Sequence, residues 1–412
     1  MKRVLLLSLM AIALPMSAVG QLWRVNSKES KNGLYVDLGR VWSYNLYEAS
    51  RWGVGLRYDV GFDATSPLER LSLGGWTGYG TADRRWKWGL HMGTLLRNKW
   101  KTEPYVAFDH DLTPDAERTQ TEYSVNSMLS TASLRAQRFS DTYRAALGAT
   151  WMPRKGYKAG AEVRWSQERR LYDNTQMMYP ANDAERDMLP SYRLLEARFS
   201  LSHRSGWRGE LLAGSGHCTD QGGQIGFGPY LRGLLQCERV PKWKYLQLEL
   251  FGQAGITTGS VPYSRMFGLG GGWGGSLYLD RCLLTARADE LAANTFLLMK
   301  ARLITREPLF DVFFQTFQVG MCPRPFVMAG GAWGMLWGQN DEGSVWYDGL
   351  QLQAPLQGIA EVGIGVDGLL HWGLSDWGVA LVCRLTPQSA AYHFAQPADN
   401  WLLIFTAALH VD

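Results

Sequence analysis

After residue 20 the sequence has no apolar run long enough to cross a membrane as a helix, which takes about 20 residues. The one early run, from Val4 to Leu14, is also too short. It follows Lys2 and Arg3 and precedes the small residues Ala18 and Gly20. This order predicts a secretory signal peptide over residues 1–20 and an exported chain over 21–412.

An excess of one charge and a metal-binding cysteine pattern are also missing. The chain has 42 Lys and Arg against 38 Asp and Glu, a balance that argues against a nucleic-acid partner and against a strongly acidic substrate. Its five cysteines form no C-x-x-C pair and no His/Cys metal spacing, so no metal and no cofactor are expected. Their odd number and wide spacing favour isolated thiols over disulfides.

Aromatic residues are abundant instead, with 18 Trp and 18 Tyr, and they belong to an alternating pattern. The stretch RWGVGLRYDVGF (51–62) places large apolar residues at every even position and glycine or charge at every odd one. A period of two indicates a strand with one face buried. In an exported chain without membrane helices, that face lies in the core of a soluble β protein or against lipid.

Similar segments recur through the chain, and their number and length favour a membrane barrel. Each is about ten residues long, as a tilted strand needs to cross the hydrocarbon, and aromatics cluster at the segment ends. We predict an all-β protein, a transmembrane antiparallel β-barrel of about 16 strands in a single domain. The predicted strands are 33–42, 51–62, 69–79, 85–96, 103–111, 142–152, 157–166, 190–203, 207–216, 223–236, 244–257, 294–306, 325–337, 356–368, 376–386 and 401–411, and 309–318 is a possible additional or displaced strand.

The connections between these strands fall into two lengths. Short ones include 152–156 and 204–206, while 112–141, 167–189, 258–293 and 338–355 are long and polar. This asymmetry is typical of outer-membrane barrels with short periplasmic turns and longer outward loops. The expected location is therefore the outer membrane, with membrane lipid as the surrounding partner and no periplasmic module ahead of the first strand.

One face of the predicted strands carries charges that would point into the lumen. Two interpretations remain open: a salt-bridged lumen that keeps the barrel round and occluded, or a pathway for anionic solutes or lipids. The predicted lumen-facing charged residues are Arg51, Arg57, Asp59, Lys87, Arg144, Lys158, Glu162, Arg164, Glu196, Arg198, Glu249, Lys300 and Arg302.

For two further motifs we prefer a structural interpretation over a binding or catalytic one. The glycine run 268–275 lacks the Lys-Ser/Thr of a phosphate cradle, so we expect a flexible loop that packs into or gates the lumen. Its predicted lumenal residues are Gly270, Gly271, Gly272, Trp273, Gly274 and Gly275. FDHDL, with Asp109, His110 and Asp111, is interpreted as a solvated loop base rather than a metal or acid-base cluster, because neighbours in a strand point to opposite faces. No catalytic residue is predicted.

Several stretches, in order, resemble the surface-antigen barrels of the outer-membrane assembly superfamily, in particular the branch whose barrel elsewhere follows a carboxypeptidase-regulatory-like domain. They are YNLYEASRWGVGLRYD (44–59), LGGWTGYGTADRRWKWG (73–89), FGLGGGWGGSLYL (267–279), NTFLLMKARLITREPLF (294–310), PFVMAGGAW (325–333) and AYHFAQPADNWLLIF (391–405). The resemblance implies sixteen strands and a long loop that folds into the lumen.

The departures from this family bear on function. Family members that insert proteins carry an arginine in the lumenal loop and an aspartate in the strand that receives it. Here 268–279 has no arginine and Met328 stands at the aspartate position, which argues against a protein insertase. We expect a barrel for transport or for biogenesis of outer-membrane and surface molecules, with a plugged polar lumen and an unknown periplasmic or surface protein partner. A passive diffusion pore is the alternative, and a lipid-modifying enzyme is less favoured.

Overall fold

A computed structural model describes fourteen segments of the chain, and every long element in them is a β-strand. In these segments no helix is long and apolar enough to cross a membrane. The predicted signal peptide and the glycine run 270–275 lie outside the described residues. The described residues are 22–25, 31–37, 40–45, 48–114, 139–171, 191–220, 223–269, 283–286, 291–314, 319–338, 344–347, 350–372, 375–386 and 401–409.

Sixteen strands in this part of the chain form the main sheet, and they coincide with the sixteen predicted ones. The first, β1, has two segments, Gly33–Asp37 and Trp42–Asn45. The others are β2 Ala49–Gly61, β3 Leu68–Gly80, β4 Trp86–Leu96, β5 Glu103–Pro114, β6 Phe139–Trp151, β7 Tyr157–Arg170, β8 Ser191–His203, β9 Trp207–Asp220, β10 Gly223–Arg239, β11 Leu246–Thr258, β12 Thr295–Thr305, β13 Arg324–Met335, β14 Ile359–Trp372, β15 Ser375–Arg384 and β16 Trp401–Leu409.

Each strand pairs in antiparallel register with the next one along the chain, from β1 with β2 to β15 with β16. This up-and-down order satisfies the backbone N–H and C=O groups between neighbouring strands, which is the requirement for a sheet in hydrocarbon. Leu22–Arg24 adds a short pairing to the other side of Gly33–Asp37.

The apolar face of the strands points outward, away from the barrel interior. In β4, Trp86, Trp88 and Leu90 are 62%, 40% and 59% exposed, whereas Lys87 between them is 0% exposed. The same alternation continues around the sheet, for example at Leu147 and Val163. A soluble protein rarely exposes apolar patches of more than a few hundred Å². The soluble alternative is therefore wrong, and the fold is a transmembrane antiparallel β-barrel.

The four long connections predicted from the sequence share one end of the barrel, and most connections at the other end are short. At this other end, here called the short-connection end, Gly156 and Gly206 adopt φ of 87° and 90° in the tight turns before β7 and β9. A Cβ on Gly206 would lie 2.2 Å from the Glu238 carbonyl oxygen, so only glycine fits there.

The described part of the apolar stretch 309–318, residues 309–314, also has a place in the sheet. Val312–Phe314 pairs with Val319–Met321, and the second segment pairs with the last residues of β14. This small hairpin lies at the short-connection end, between β12 and β13. The additional strand that the sequence suggested is thus a short extension of the barrel wall and not a seventeenth crossing.

We predict that Leu147→Arg, near the middle of β6 and 66% exposed, lowers the free energy of unfolding by about 2–4 kcal/mol because it places a charge in hydrocarbon. Leu385→Arg is the matched control, since Leu385 is 59% exposed but lies just beyond the end of β15. Its cost should be about 0–1 kcal/mol. Urea unfolding of the protein in lipid vesicles measures both values. Equal costs would mean that the outer face of β6 does not contact acyl chains.

Candidate functional site

The structure places the thirteen charged residues predicted for the lumen on the strand face opposite the exposed apolar residues. Six of them, Arg144, Arg164, Glu196, Arg198, Glu249 and Arg302, pair with a charge on an adjacent strand, whereas Arg57 pairs with Asp59 on its own strand. The thirteen residues are Arg51, Arg57, Asp59, Lys87, Arg144, Lys158, Glu162, Arg164, Glu196, Arg198, Glu249, Lys300 and Arg302. They belong to strands β2, β4, β6, β7, β8, β11 and β12.

Cross-strand ion pairs connect this inner face. The Arg302 guanidinium lies 2.7 Å from Glu249 on β11 and 2.8 Å from Asp367 on β14. On the other side of the barrel, Arg144 on β6 lies 2.9 Å from Asp109 on β5. A charge removed from water is tolerated only with such partners. The pairs therefore connect strands of the barrel wall and neutralise charges on its inner face.

Lys87 and Glu48 are completely buried and lie among side chains of the long-connection end. The Lys87 Nζ is 2.9 Å from Glu48 Oε1, and it also contacts the Asp83 carboxylate. Arg51 bridges Glu48 at 2.6 Å and Asp111 at 2.7 Å. Burial raises the pKa of the Asp83 carboxyl, while the Lys87 ammonium acts to lower it.

The prediction that FDHDL forms a solvated loop base is wrong. Strand β5 continues to Pro114, paired with β6 as far as Phe139, so His110 and Asp111 are buried within the ladder. His110 points to the opposite face from Asp111, as alternation requires. Its Nε2 lies 2.7 Å from Asp141 on β6, and its ring stacks on Tyr143 at 4.1 Å.

The connection between β11 and β12 enters the barrel interior. We call its described residues, 259–269, 283–286 and 291–294, the inner loop. Its apolar side chains are almost completely buried, including Val261, Met266 and Phe267 at 3%, 3% and 0% exposure. The predicted lumenal residues Gly270–Gly275 belong to the same connection but lie outside the described residues.

Arg265 anchors the inner loop to strands β7 and β8. It ends a short 3₁₀ turn, and its guanidinium donates to Glu196 at 2.6 and 2.8 Å and to Glu168 at 2.5 Å. Glu196 also accepts from Arg164 at 2.9 Å and from the Tyr230 hydroxyl at 2.7 Å. Burial acts to lower the pKa of Arg265, and the two carboxylates overcome it, so that this pKa stays above its usual value.

An apolar cluster supports the middle of the inner loop. The Phe267 ring packs against Phe296 of β12, with ring centres 4.7 Å apart, and the Arg232 guanidinium lies 4.3 Å from the Phe267 ring centre. A Cβ on Gly255 would come within 2.5 Å of Phe296 and 2.6 Å of Phe267, so glycine there leaves room for the loop. The cluster contains Leu234, Phe267, Leu269, Leu283, Ala286, Leu291, Ala293, Phe296, Leu298, Ala332 and Ile359.

A second polar anchor joins the inner loop to strands β14 and β15. The Glu361 carboxylate accepts hydrogen bonds from the backbone N–H of Leu284 at 2.9 Å and of Thr285 at 3.1 Å, and from the Thr285 hydroxyl at 3.1 Å. Arg384 donates to the Thr285 carbonyl at 2.7 Å. Lys300 Nζ lies 3.6 Å from Glu361. The loop is therefore held at two separate parts of the barrel wall.

The position that the family resemblance assigns to an aspartate is apolar in its surroundings as well as in its side chain. Met328 is 5% exposed and packs in a second cluster that includes Leu284 of the inner loop. Its other members are Ile304, Phe326, Ala380 and Val382. The register places Met328 opposite Arg302 on β12, and the Met328 side chain packs among these apolar neighbours instead of forming an ion pair.

Sequence reasoning missed several residues that hold the inner loop. Arg265 lies three residues before 268–279, the segment in which the family pattern places an arginine. Glu168 lies in the predicted connection 167–189, although β7 continues to Arg170. Glu361 was available from the pattern IAEVGIGVDG, in which it alternates with outward apolar residues. In the described residues no group of three or more His, Cys, Asp or Glu side chains could hold a metal ion. Cys237 and Cys383 are free thiols.

No family model and no curated protein matches this chain. Its fold is similar to that of BamA from Haemophilus ducreyi lacking POTRA domains 1-3, with a TM-score of 0.52 and 12% identity over 94% of this chain and 75% of that one. CdiB from Acinetobacter baumannii gives a TM-score of 0.42 at 7% identity, covering 92% of this chain and 59% of that one. CdiB from Escherichia coli gives 0.44 at 9% identity, covering 93% and 64%.

We predict that Arg265→Met lowers the free energy of unfolding by about 3–5 kcal/mol, because it leaves buried carboxylates without their shared cation. Glu196 retains Arg164, so the uncompensated charge is mainly Glu168, and adding Glu168→Gln should recover much of the loss. Arg306→Met is the control, since the Arg306 side chain is exposed and its one described contact is the hydrogen bond that it donates to the Trp243 carbonyl. Urea unfolding in vesicles measures all three. A loss no larger than that of the control would contradict the anchor.

Proposed function

We propose that this chain is an integral outer-membrane barrel of surface-antigen type that serves transport or biogenesis of outer-membrane or surface molecules. In this proposal the short-connection end faces the periplasm and the long connections face outward, as is usual for such barrels. The signal peptide predicted at residues 1–20 provides the export that this location requires. The partner is membrane lipid around the barrel, together with a periplasmic or surface protein.

The observation that carries the proposal is the inner loop, which is bound at two separate parts of the inner wall. Arg265 connects it to β7 and β8, and Glu361 connects it to β14 and β15. A loop held in this way obstructs the lumen, so we infer a plugged barrel that opens only when these contacts are released. The similarity in fold to BamA from Haemophilus ducreyi supports a barrel of this architecture.

A passive diffusion pore is the second candidate. It is favoured by the polar inner face, where Arg57, Arg144 and Arg302 remain partly exposed within the barrel. The buried anchors of the inner loop argue against it, because a permanently open pore has no use for a loop fixed across its interior. We therefore favour the plugged barrel over the diffusion pore.

We predict that the purified wild-type protein shows no steady conductance in planar bilayers, or only rare flickering. Arg265→Met combined with Glu361→Gln should produce frequent or steady openings, because it removes a charge partner at each anchor of the loop. Arg306→Met is again the control and should remain silent. Steady conductance of porin size in the wild-type protein would reject the plug and support the diffusion pore. Retention of the heat-dependent shift in gel mobility verifies that each variant is a folded barrel.

The lipid-modifying enzyme is a weaker alternative from a different class. We expect that deletion of the gene leaves the acyl composition of the outer membrane unchanged, because the proposed mechanism transfers no chemical group. Lipid analysis of the parent strain, the deletion strain and the complemented deletion strain measures the acyl composition. An acyl pattern that changes on deletion and returns on complementation would favour the enzyme.

A further inference from the structure

A cavity with both charged and aromatic residues in its lining lies at the short-connection end, where strands β6 to β10 end or begin. Its volume is about 420 Å³, and its lining includes Lys158, Ser202, Arg204, Arg208 and Gln236. It is separate from the inner loop, whose anchors lie on Glu168, Glu196 and Glu361. The function proposed above makes no use of it.

Four of the lining residues form one row across neighbouring strands. Lys158 of β7 lies opposite Ser202 of β8, Ser202 lies opposite Arg208 of β9, and Arg208 lies opposite Gln236 of β10. All four are on the inward parity. The row therefore offers an ammonium, a hydroxyl, a guanidinium and an amide N–H₂ group side by side, and each of these groups can donate hydrogen bonds to an anion.

The charges around this row are mainly positive. The cavity is lined by Lys158, Arg204 and Arg208 but by a single carboxylate, that of Glu238. The neighbouring Glu210 is shared by three guanidinium groups: Arg198 at 2.6 Å, Arg232 at 3.3 Å and Arg208 at 3.5 Å. Arg198 and Arg232 still contact Glu210 when Arg208 is replaced. A phosphate ester suits such a set, since guanidinium and ammonium groups bind its oxygens through charge-assisted hydrogen bonds.

The aromatic residues in the lining of the cavity indicate its depth in the membrane. Tyr157, His203 and Trp207 form a row on neighbouring strands, with the His203 ring centre 4.4 Å from Tyr157 and 6.2 Å from Trp207. Aromatic rows of this kind lie at the level of lipid headgroups. The turns at this end of the strands, 152–156 and 204–206, are short. The cavity therefore lies close to the level of the lipid headgroups.

We propose that this cavity binds the phosphate group of a phosphate ester, carried either by a phospholipid headgroup or by a soluble molecule. Lys158, Arg204 and Arg208 supply the charge, and Ser202 and Gln236 supply neutral donors. The proposal rests on the proposed function only for the side of the membrane that the cavity faces. Binding itself requires neither transport nor movement of the inner loop.

The test measures binding to the full chain purified in a nonionic detergent, by native mass spectrometry. The probes are dioleoyl phosphatidylglycerol, dioleoylglycerol, which has the same chains without the phosphate, and sn-glycerol 3-phosphate. The variant is Lys158→Gln/Arg204→Gln/Arg208→Gln. The matched control is Arg97→Gln/Lys99→Gln/Lys101→Gln, which removes three exposed cations from another connection at the same end.

We expect the wild-type protein and the control to bind phosphatidylglycerol at least about tenfold more tightly than dioleoylglycerol, and the variant to lose this preference. Displacement of the lipid by sn-glycerol 3-phosphate would identify a soluble ester as a sufficient ligand, and its failure to displace would identify the headgroup. Equal loss in the variant and the control, or no preference in the wild-type protein, would overturn the proposal. If the triple variant does not fold, Arg204→Gln and Arg208→Gln are compared singly, each with an expected loss of about threefold.

A conducting wild-type protein would reject the plug but leave this binding result unaffected, so the two proposals fail separately.

Discussion

The architecture depends on one constraint: a strand in hydrocarbon must pair all its backbone polar groups with neighbouring strands and present only apolar side chains to lipid. Antiparallel pairing of each strand with the next meets the first condition, and strict alternation meets the second. Because the side-chain period is two, the same alternation directs every other residue inward. The outward position of Trp86 and Trp88 thus also dictates that Lys87 lies inside.

The inner face then has to accommodate charge at low solvent exposure. Oppositely charged side chains make this possible: Arg302 lies between Glu249 and Asp367, and Lys87 lies between Glu48 and Asp83. Each pair is worth little as a net source of stability but costly to break, because breaking it leaves a buried charge alone. These pairs therefore make the inner face costly to change without adding much to the free energy of folding.

The inner loop uses the same chemistry to connect distant parts of the wall. It presents an arginine to carboxylates of β7 and β8, and it presents backbone N–H groups to the Glu361 carboxylate on β14. Between these anchors, Phe267 and its neighbours fill the interior with apolar side chains, and Gly255 makes room for them. The interior of this barrel is thus partly a hydrophobic core, and Met328 belongs to that core rather than to an ion pair.

The sequence alone determined the number of strands, their approximate bounds and the face on which each side chain lies, because alternation is a local signal that a strand of about ten residues carries completely. Tertiary structure decided the partners. Arg265 and Glu196 are 69 positions apart, and Thr285 and Glu361 are 76 apart, and no local pattern encodes such pairings. His110 became buried because β6 pairs with β5 as far as Pro114, and this extension depends on a neighbouring strand that begins only at Phe139. Alternation over a few adjacent residues predicts the face on which each side chain lies. Contacts between residues far apart in the sequence form only when the whole sheet brings them together.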